Sequence, residues 1–112
     1  MAHYEQTLTG EVDPFVEHLD QAILSGSVTA NQEDAADHRI GDARMVVRVY
    51  ERYSAMGGNR VSLSVAVLCV GTEMSVSAIT SGGSQAIFFK INTMGEESFL
   101  QKAVDAIQGY GA

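Results

Sequence analysis

Across residues 43–90 apolar and polar side chains alternate in run after run, interrupted only at Gly57-Gly58-Asn59, Gly71-Thr72 and Ser81-Gly82-Gly83-Ser84. A period of two sends successive side chains to opposite faces of an extended strand, and glycine or asparagine at the breaks supplies the backbone freedom of a turn. Strands joined by connections this short pair as antiparallel neighbours. An amphipathic helix is predicted on either side of the block, so the chain is constrained to a sheet with helical cover.

The individual elements follow from the same patterning. Residues 3–8 alternate, with Tyr4, Gln6 and Leu8 on one face, and predict a first strand. Asp13-Pro14 opens a helix, the carboxylate capping free amide hydrogens and the proline sitting where its missing donor costs nothing. Phe15, Leu19, Ala22 and Ile23, with Val16 beside them, make its apolar stripe, and Gly26 is placed to stop it. Residues 27–41 predict an edge strand around Val28 and Ala30 that runs into an exposed turn, because residues 31–37 are too polar and acidic for a buried strand.

From residue 43 to 53, Ala43, Met45, Val47 and Val49 are expected to face the core, and Arg44, Arg48 and Arg52 to point away with Val46 and Tyr50. From 60 to 70 the core face is Val61, Leu63, Val65, Val67 and Cys69. After Gly71-Thr72 it is Met74, Val76 and Ala78, so these two strands form a hairpin. Residues 85–91, Gln-Ala-Ile-Phe-Phe-Lys-Ile, read as a last strand. Thr93-Met94-Gly95-Glu96 has the form of a capping box at the start of a helix that carries Phe99, Leu100, Ala103, Val104 and Ile107 and stops at Gly109. The expected fold is therefore α+β: one two-layer domain over residues 1–112, a curved antiparallel sheet with two helices on one face, in the order β-α-β4/5-α.

Composition narrows the function. Fourteen acidic residues against seven basic ones, a net charge of −7, exclude a general polyanion binder, so nucleic acid is not an expected partner. Cys69 is the only cysteine, which rules out an intrachain disulfide, and its apolar surroundings make it a small buried hydrophobe rather than a reactive thiol. No apolar run approaches the roughly 20 residues that cross a bilayer, and the first residues lack the pattern of a secretion signal. No membrane contact and a cytoplasmic location are expected.

Five of the seven basic residues fall between Arg39 and Arg60, and Arg44, Arg48 and Arg52 share one face of one strand. Guanidinium forks bind carboxylates and phosphates in bidentate fashion, so Arg44, Arg48, Arg52 and Arg60, with Tyr50, are the candidate ligand-binding residues on the open sheet face. The competing account is cross-strand pairing with acids such as Glu33 or Glu73. Ser84 joins the arginines and Tyr50 as a candidate ligand-binding residue; in Gly82-Gly83-Ser84-Gln85-Ala86 it also loosely fits a nucleophile turn, but such a turn joins a strand to a helix in a much larger fold. The same glycines lack the lysine and following helix of a phosphate loop. Glu33, Asp34, Asp37, His38 and Asp42 lack the spacing of a calcium loop, and His3, His18 and His38 lack that of a zinc site. No catalytic residue, metal or cofactor is assigned.

The stretches Val49-Tyr50-Glu51-Arg52-Tyr53-Ser54-Ala55-Met56-Gly57-Gly58-Asn59-Arg60-Val61-Ser62-Leu63 and Ala78-Ile79-Thr80-Ser81-Gly82-Gly83-Ser84-Gln85-Ala86-Ile87-Phe88-Phe89-Lys90-Ile91-Asn92-Thr93, with the later Gly95-Glu96-Glu97-Ser98-Phe99-Leu100, resemble a family of small bacterial proteins of unknown function. That resemblance implies a stand-alone bacterial protein and carries no activity. The element order is similar to that of TATA-binding-protein-like domains and, less closely, of helix-grip lipid-binding domains, an analogy of fold alone.

The expected function is a non-enzymatic binding or assembly module that forms a homodimer or takes a small anionic ligand on the open sheet face. The alternative is a carrier of a small apolar ligand, with a pocket between sheet and C-terminal helix lined by Met45, Met74, Phe88 and Phe99. A hydrolase built on Ser84 is the remaining alternative.

Overall fold

The structure is a computed structural model that describes residues 2–25, 29–53, 60–82 and 89–110, with the backbone alone for 89–98. Its elements run β1 (Ala2–Thr9), α1 (Val12–Ser25), β2 (Asn31–Ile40), β3 (Ala43–Tyr53), β4 (Arg60–Val70), β5 (Glu73–Gly82) and α2 (Phe89–Tyr110). The five strands form one sheet in the order β1-β5-β4-β3-β2, every pair antiparallel. Strands β2 to β5 are therefore a meander, and α1 carries the chain from one edge, β1, to the other, β2. Gly41 and Gly71 hold φ near +57° and +60° at the first position of two-residue turns, the conformation that lets a hairpin keep the twist of its strands.

One hydrophobic core joins Phe15, Leu19 and Ile23 of α1, Phe99, Ala103 and Ile107 of α2, and the inward side chains of β3, β4 and β5. Both helices thus cover the same face of the sheet. The inward set of β4 is Val61, Leu63, Val65, Val67 and Cys69, and that of β5 is Met74, Val76 and Ala78, as their alternation predicts. Thr80 ends the β5 row fully buried, its hydroxyl 3.5 Å from the Ala2 carbonyl. The His18 ring nitrogen Nε2 lies 3.0 Å from the Ala106 carbonyl and ties α1 to α2.

Three elements differ from expectation. Strand β3 is turned the other way: Val46 pairs with Val67 and Tyr50 with Leu63, so Val46 and Tyr50 are buried and Met45 is exposed. Both faces of β3 carry apolar residues, so alternation alone does not choose between them, and a shift of one residue exchanges the faces. Residues 31–40 form a full edge strand rather than a turn, exposed along almost its whole length and bulged between Gln32 and Asp34. The expected last strand at 85–91 gives way to helix at its described end, because Phe89, Lys90 and Ile91 belong to α2. Thr93 is then an interior helical position rather than a cap, and α2 passes Gly109 to end at Tyr110. Gly26, Val28, Gly57-Gly58-Asn59 and Gly83-Ser84, to which the sequence assigns a stop, a strand and two connections, lie outside the described residues.

Two leucines on opposite faces of β4 test this orientation. Leu63→Ala should cost about 2–5 kcal/mol, the usual penalty for emptying a packed site. Leu68→Ala should stay within about 0.5 kcal/mol in dilute solution, because its neighbours on that face include water. Urea unfolding of the two variants reads the difference.

Candidate functional site

The turned β3 puts the arginine ladder on the helix side of the sheet, Arg44 and Arg48 against α1 and Arg52 against Phe99 of α2. Arg44 lies beside Cys69, Arg48 beside Val65 and Arg52 beside Val61, all on the helix side of the sheet. Their aliphatic stems can lie along apolar neighbours while the guanidinium groups reach polar partners. Their partners include acids from other elements and an aromatic ring. Arg44 forks onto Asp37 of β2, with Nε to Oδ1 at 3.0 Å and Nη2 to Oδ2 at 2.7 Å, and its Nη1 meets Asp13 Oδ1 of α1 at 2.9 Å. Arg48 Nε stands 3.6 Å from Asp20 Oδ2. The Tyr50 hydroxyl donates to the other oxygen of Asp20. Arg52 lies 4.5 Å above the centre of the Phe99 ring.

Asp13 and Asp20 are seven residues apart, two helical turns, so they occupy one side of α1 and meet β3 at two points. Between those points lies a cavity of about 160 Å³ lined by Asp13, Val16, Glu17, Asp20, Arg44, Val46 and Arg48. Three carboxylates face two guanidinium groups there, a formal balance of −1. An incoming anion would have to displace carboxylates already in place. The hydrogen bond from Arg44 holds the Asp37 carboxyl below the usual carboxylate range, against a smaller opposing effect of desolvation. The same bond raises Arg44, and burial followed by Asp20 pushes the Tyr50 phenol well above its ordinary value. Burial lowers Arg52.

The sequence-based candidates therefore separate. Arg44, Arg48, Arg52 and Tyr50 share the covered face, which corrects their expected place on the open one. Arg60 is on the open face, where it pairs with Glu51 and lies 3.6 Å from Glu33 Oε1. Ser84 lies outside the described residues. The carrier lining separates as well: Met74 and Phe99 are buried on the helix side, Met45 is on the opposite face, and Phe88 lies outside the described residues. Among the described residues no group of three His, Cys, Asp or Glu side chains is gathered to hold a metal.

The open face keeps Leu68 and Ile79, which alternation already points away from the core, and adds Met45, Val47 and Val49, which the sequence reading placed inside. Register sets its rows across β1, β5, β4, β3 and β2 as Thr9, Glu73, Val70, Ala43, Ile40; then Thr7, Ser75, Leu68, Met45, His38; then Glu5, Ser77, Ala66, Val47, Ala36; then His3, Ile79, Ser64, Val49, Asp34. Ile40 is 83% exposed, Leu68 51%, Val70 50%, Ile79 41% and Met45 38%, so this apolar ground is in water. A shallow depression of about 740 Å³ adjoins it at the β4–β5 turn, lined by Thr7 to Thr9, Leu68, Val70 and Glu73 to Ser75. The signal available beforehand was that the odd positions of β3 are as apolar as the even ones.

Because Asp37 is held below its ordinary pKa of 3.8, its contribution to stability is complete above that value and is lost as pH falls through the lowered one. Asp37→Asn should flatten the acid limb of the stability curve below about pH 4. In Arg44→Gln the Asp37 carboxyl, followed by NMR, should titrate closer to 3.8. Tyr50→Phe should cost about 1–3 kcal/mol in chemical unfolding, since it deletes a hydrogen bond to a charged acceptor.

No curated protein and no solved structure matches the chain. A family described as being of unknown function, DUF6054, matches residues 1–111. With nearly its whole length inside that match, the chain belongs to this family of unknown function.

Proposed function

We propose that the protein is a non-enzymatic assembly module that works by covering the open face of its sheet with another protein surface. The observation that carries this is the exposed group Ile40, Met45, Leu68, Val70 and Ile79 on one side of the sheet. Contiguous apolar surface rimmed by polar residues marks interaction sites, because water leaves it at a gain of about 25 cal/mol per Å². The polar rim is present here as Ser75, Ser77 and Thr7 on β5 and β1 and as Glu51 and Ser62 at the far end.

Anion binding on this face has lost the arginines that motivated it, since Arg44 and Arg48 answer the protein's own carboxylates. An apolar carrier has lost its single lining, and the depression beside Leu68 is open rather than enclosed. A cytoplasmic setting suits the assembly reading, with Cys69 buried and unpaired. No described helix is long and apolar enough to cross a membrane.

Methionine oxidation separates a covered face from a bare one. Met45 sits on the open face and Met74 is buried on the other, which makes the pair an internal control. Under mild peroxide, read by peptide mass spectrometry, Met45 should oxidise at least about threefold more slowly in the assembled protein than in Leu68→Lys, with Met74 slow in both. The comparison is made on the concentrated purified protein and in extract of its source cells. Equal Met45 rates in both proteins under both conditions would remove the reading.

A further inference from the structure

We infer that the surface covering the open face is a second copy of this chain, packed sheet against sheet across a two-fold axis that runs along β4. The inference rests on the assembly reading above and names its partner. Strand β4 is the middle of five in the order β1-β5-β4-β3-β2. A two-fold axis lying in the interface parallel to the central strand reverses strand order while keeping each end of the sheet at the same end. It therefore places β3 over β5 of the other copy and β2 over β1, so the two sheets overlap in full.

Three features of the face match under that operation. The first is shape. Ile40 projects at one corner of the sheet, 83% exposed, and the depression near Thr9 and Glu73 lies at the other corner of the same end. Reversal sets the projection of each copy over the depression of the other. Leu68 and Ala66, on the axis strand, meet their own counterparts.

The second feature is charge. Asp34 on β2 and His3 on β1 occupy the same row at opposite edges, and the operation brings them face to face across the interface. His3 Nε2 is already 3.3 Å from Glu5 Oε1, so a second carboxylate arrives at a ring that has one. His38 comes over Thr7 of the other copy, one row from its Glu5. The direct charge match of each edge is thus His3 against Asp34 of the other copy.

The third is area. Five strands at a spacing of about 4.8 Å and eight residues at about 3.3 Å give a face of roughly 600–650 Å² in projection. That approaches the roughly 800 Å² per partner of a standard stable interface, before side-chain relief is added. Pairing through the β2 edge instead is opposed by its charged residues and its bulge, the usual guards of an exposed strand.

The full-length purified protein tests this directly. Sedimentation velocity across concentration should show a species of twice 12.0 kDa. Ala66→Cys should join to its own copy through a bismaleimide that spans the roughly 10 Å between packed sheets. Gln21→Cys, exposed on α1, should not join at the same concentration, and neither should the parent protein, whose Cys69 is buried on the helix side. His3→Asp should weaken association at least about tenfold by setting carboxylate against Asp34, and His3→Asp with Asp34→His should restore it. Circular dichroism confirms that each variant is folded. A monomer at every concentration overturns the second copy as partner; Met45 protection in cell extract would then leave the docking reading standing, and its absence would remove both. A dimer whose Ala66→Cys form stays unjoined, or whose His3→Asp form sediments unchanged, overturns the arrangement.

Discussion

Two carboxylates on one side of α1 decide which way β3 faces. Asp13 and Asp20 meet Arg44 and Arg48, and Asp20 also takes the hydrogen bond of the buried Tyr50. With the even positions of β3 drawn under the helix, Met45, Val47 and Val49 must point to the other side, because adjacent residues of a strand cannot share a face. The opposite choice would bury three more aliphatic side chains but leave Tyr50 and Val46 in water and the two aspartates of α1 without cations. Charges at a partly covered boundary, with water still reaching Asp13 and Asp37, avoid most of the desolvation cost that a fully dry ion pair carries. The apolar open face is the consequence of this polar seam.

The edges of the sheet complement that arrangement. Strand β2 is exposed on both faces and offers its outer backbone groups to solvent, yet its sequence mixes Glu33, Asp34, Asp37, His38 and Arg39 with a bulge. An edge of that kind resists the addition of another strand. Its inward ion pair, Asp37 with Arg44, also holds it against the polar seam, so the same carboxylate guards the edge and anchors it. In the proposed assembly, contact therefore falls to the face of the sheet, where side chains rather than backbone would make it.

How far the sequence disclosed this depends on whether an element has one apolar side. Strands β4 and β5 and helix α1 do, and their inward residues were legible from periodicity alone. Strand β3 has two comparable sides, and what chooses between them is a set of contacts to residues 13, 20 and 37, none of which is local in sequence. Strand β2 buries almost nothing and so has no alternation to detect; it exists because β3 offers it a partner. At the start of α2, residues 89–91 favour strand by type and are nonetheless helical. The gathering of arginine was visible in the sequence. Pairing with acids is the competing account, and Arg60 does lie 3.6 Å from Glu33; what the pattern could not show is that Asp13 and Asp20 of α1 and Asp37 of β2 are the acids that meet Arg44 and Arg48.

The same seam bears on what kind of association the open face can support. Leu68, Val70 and Met45 form its apolar middle, while β5 and β1 contribute serine, threonine and glutamate in the same rows. Hydroxyl groups hydrogen-bond to water in the free protein and to each other across a contact, so they lower the penalty for exposing the face without adding much to its burial. A net charge of −7 further opposes unlimited aggregation of separate copies. A face that is half aliphatic and half hydroxylic, on a chain that repels its neighbours, suits an interface that forms and separates with concentration rather than one fused at synthesis. Were the odd positions of β3 serine like those of β5, the sheet would have no reason to associate; were β5 aliphatic like β3, the monomer would not stay in solution.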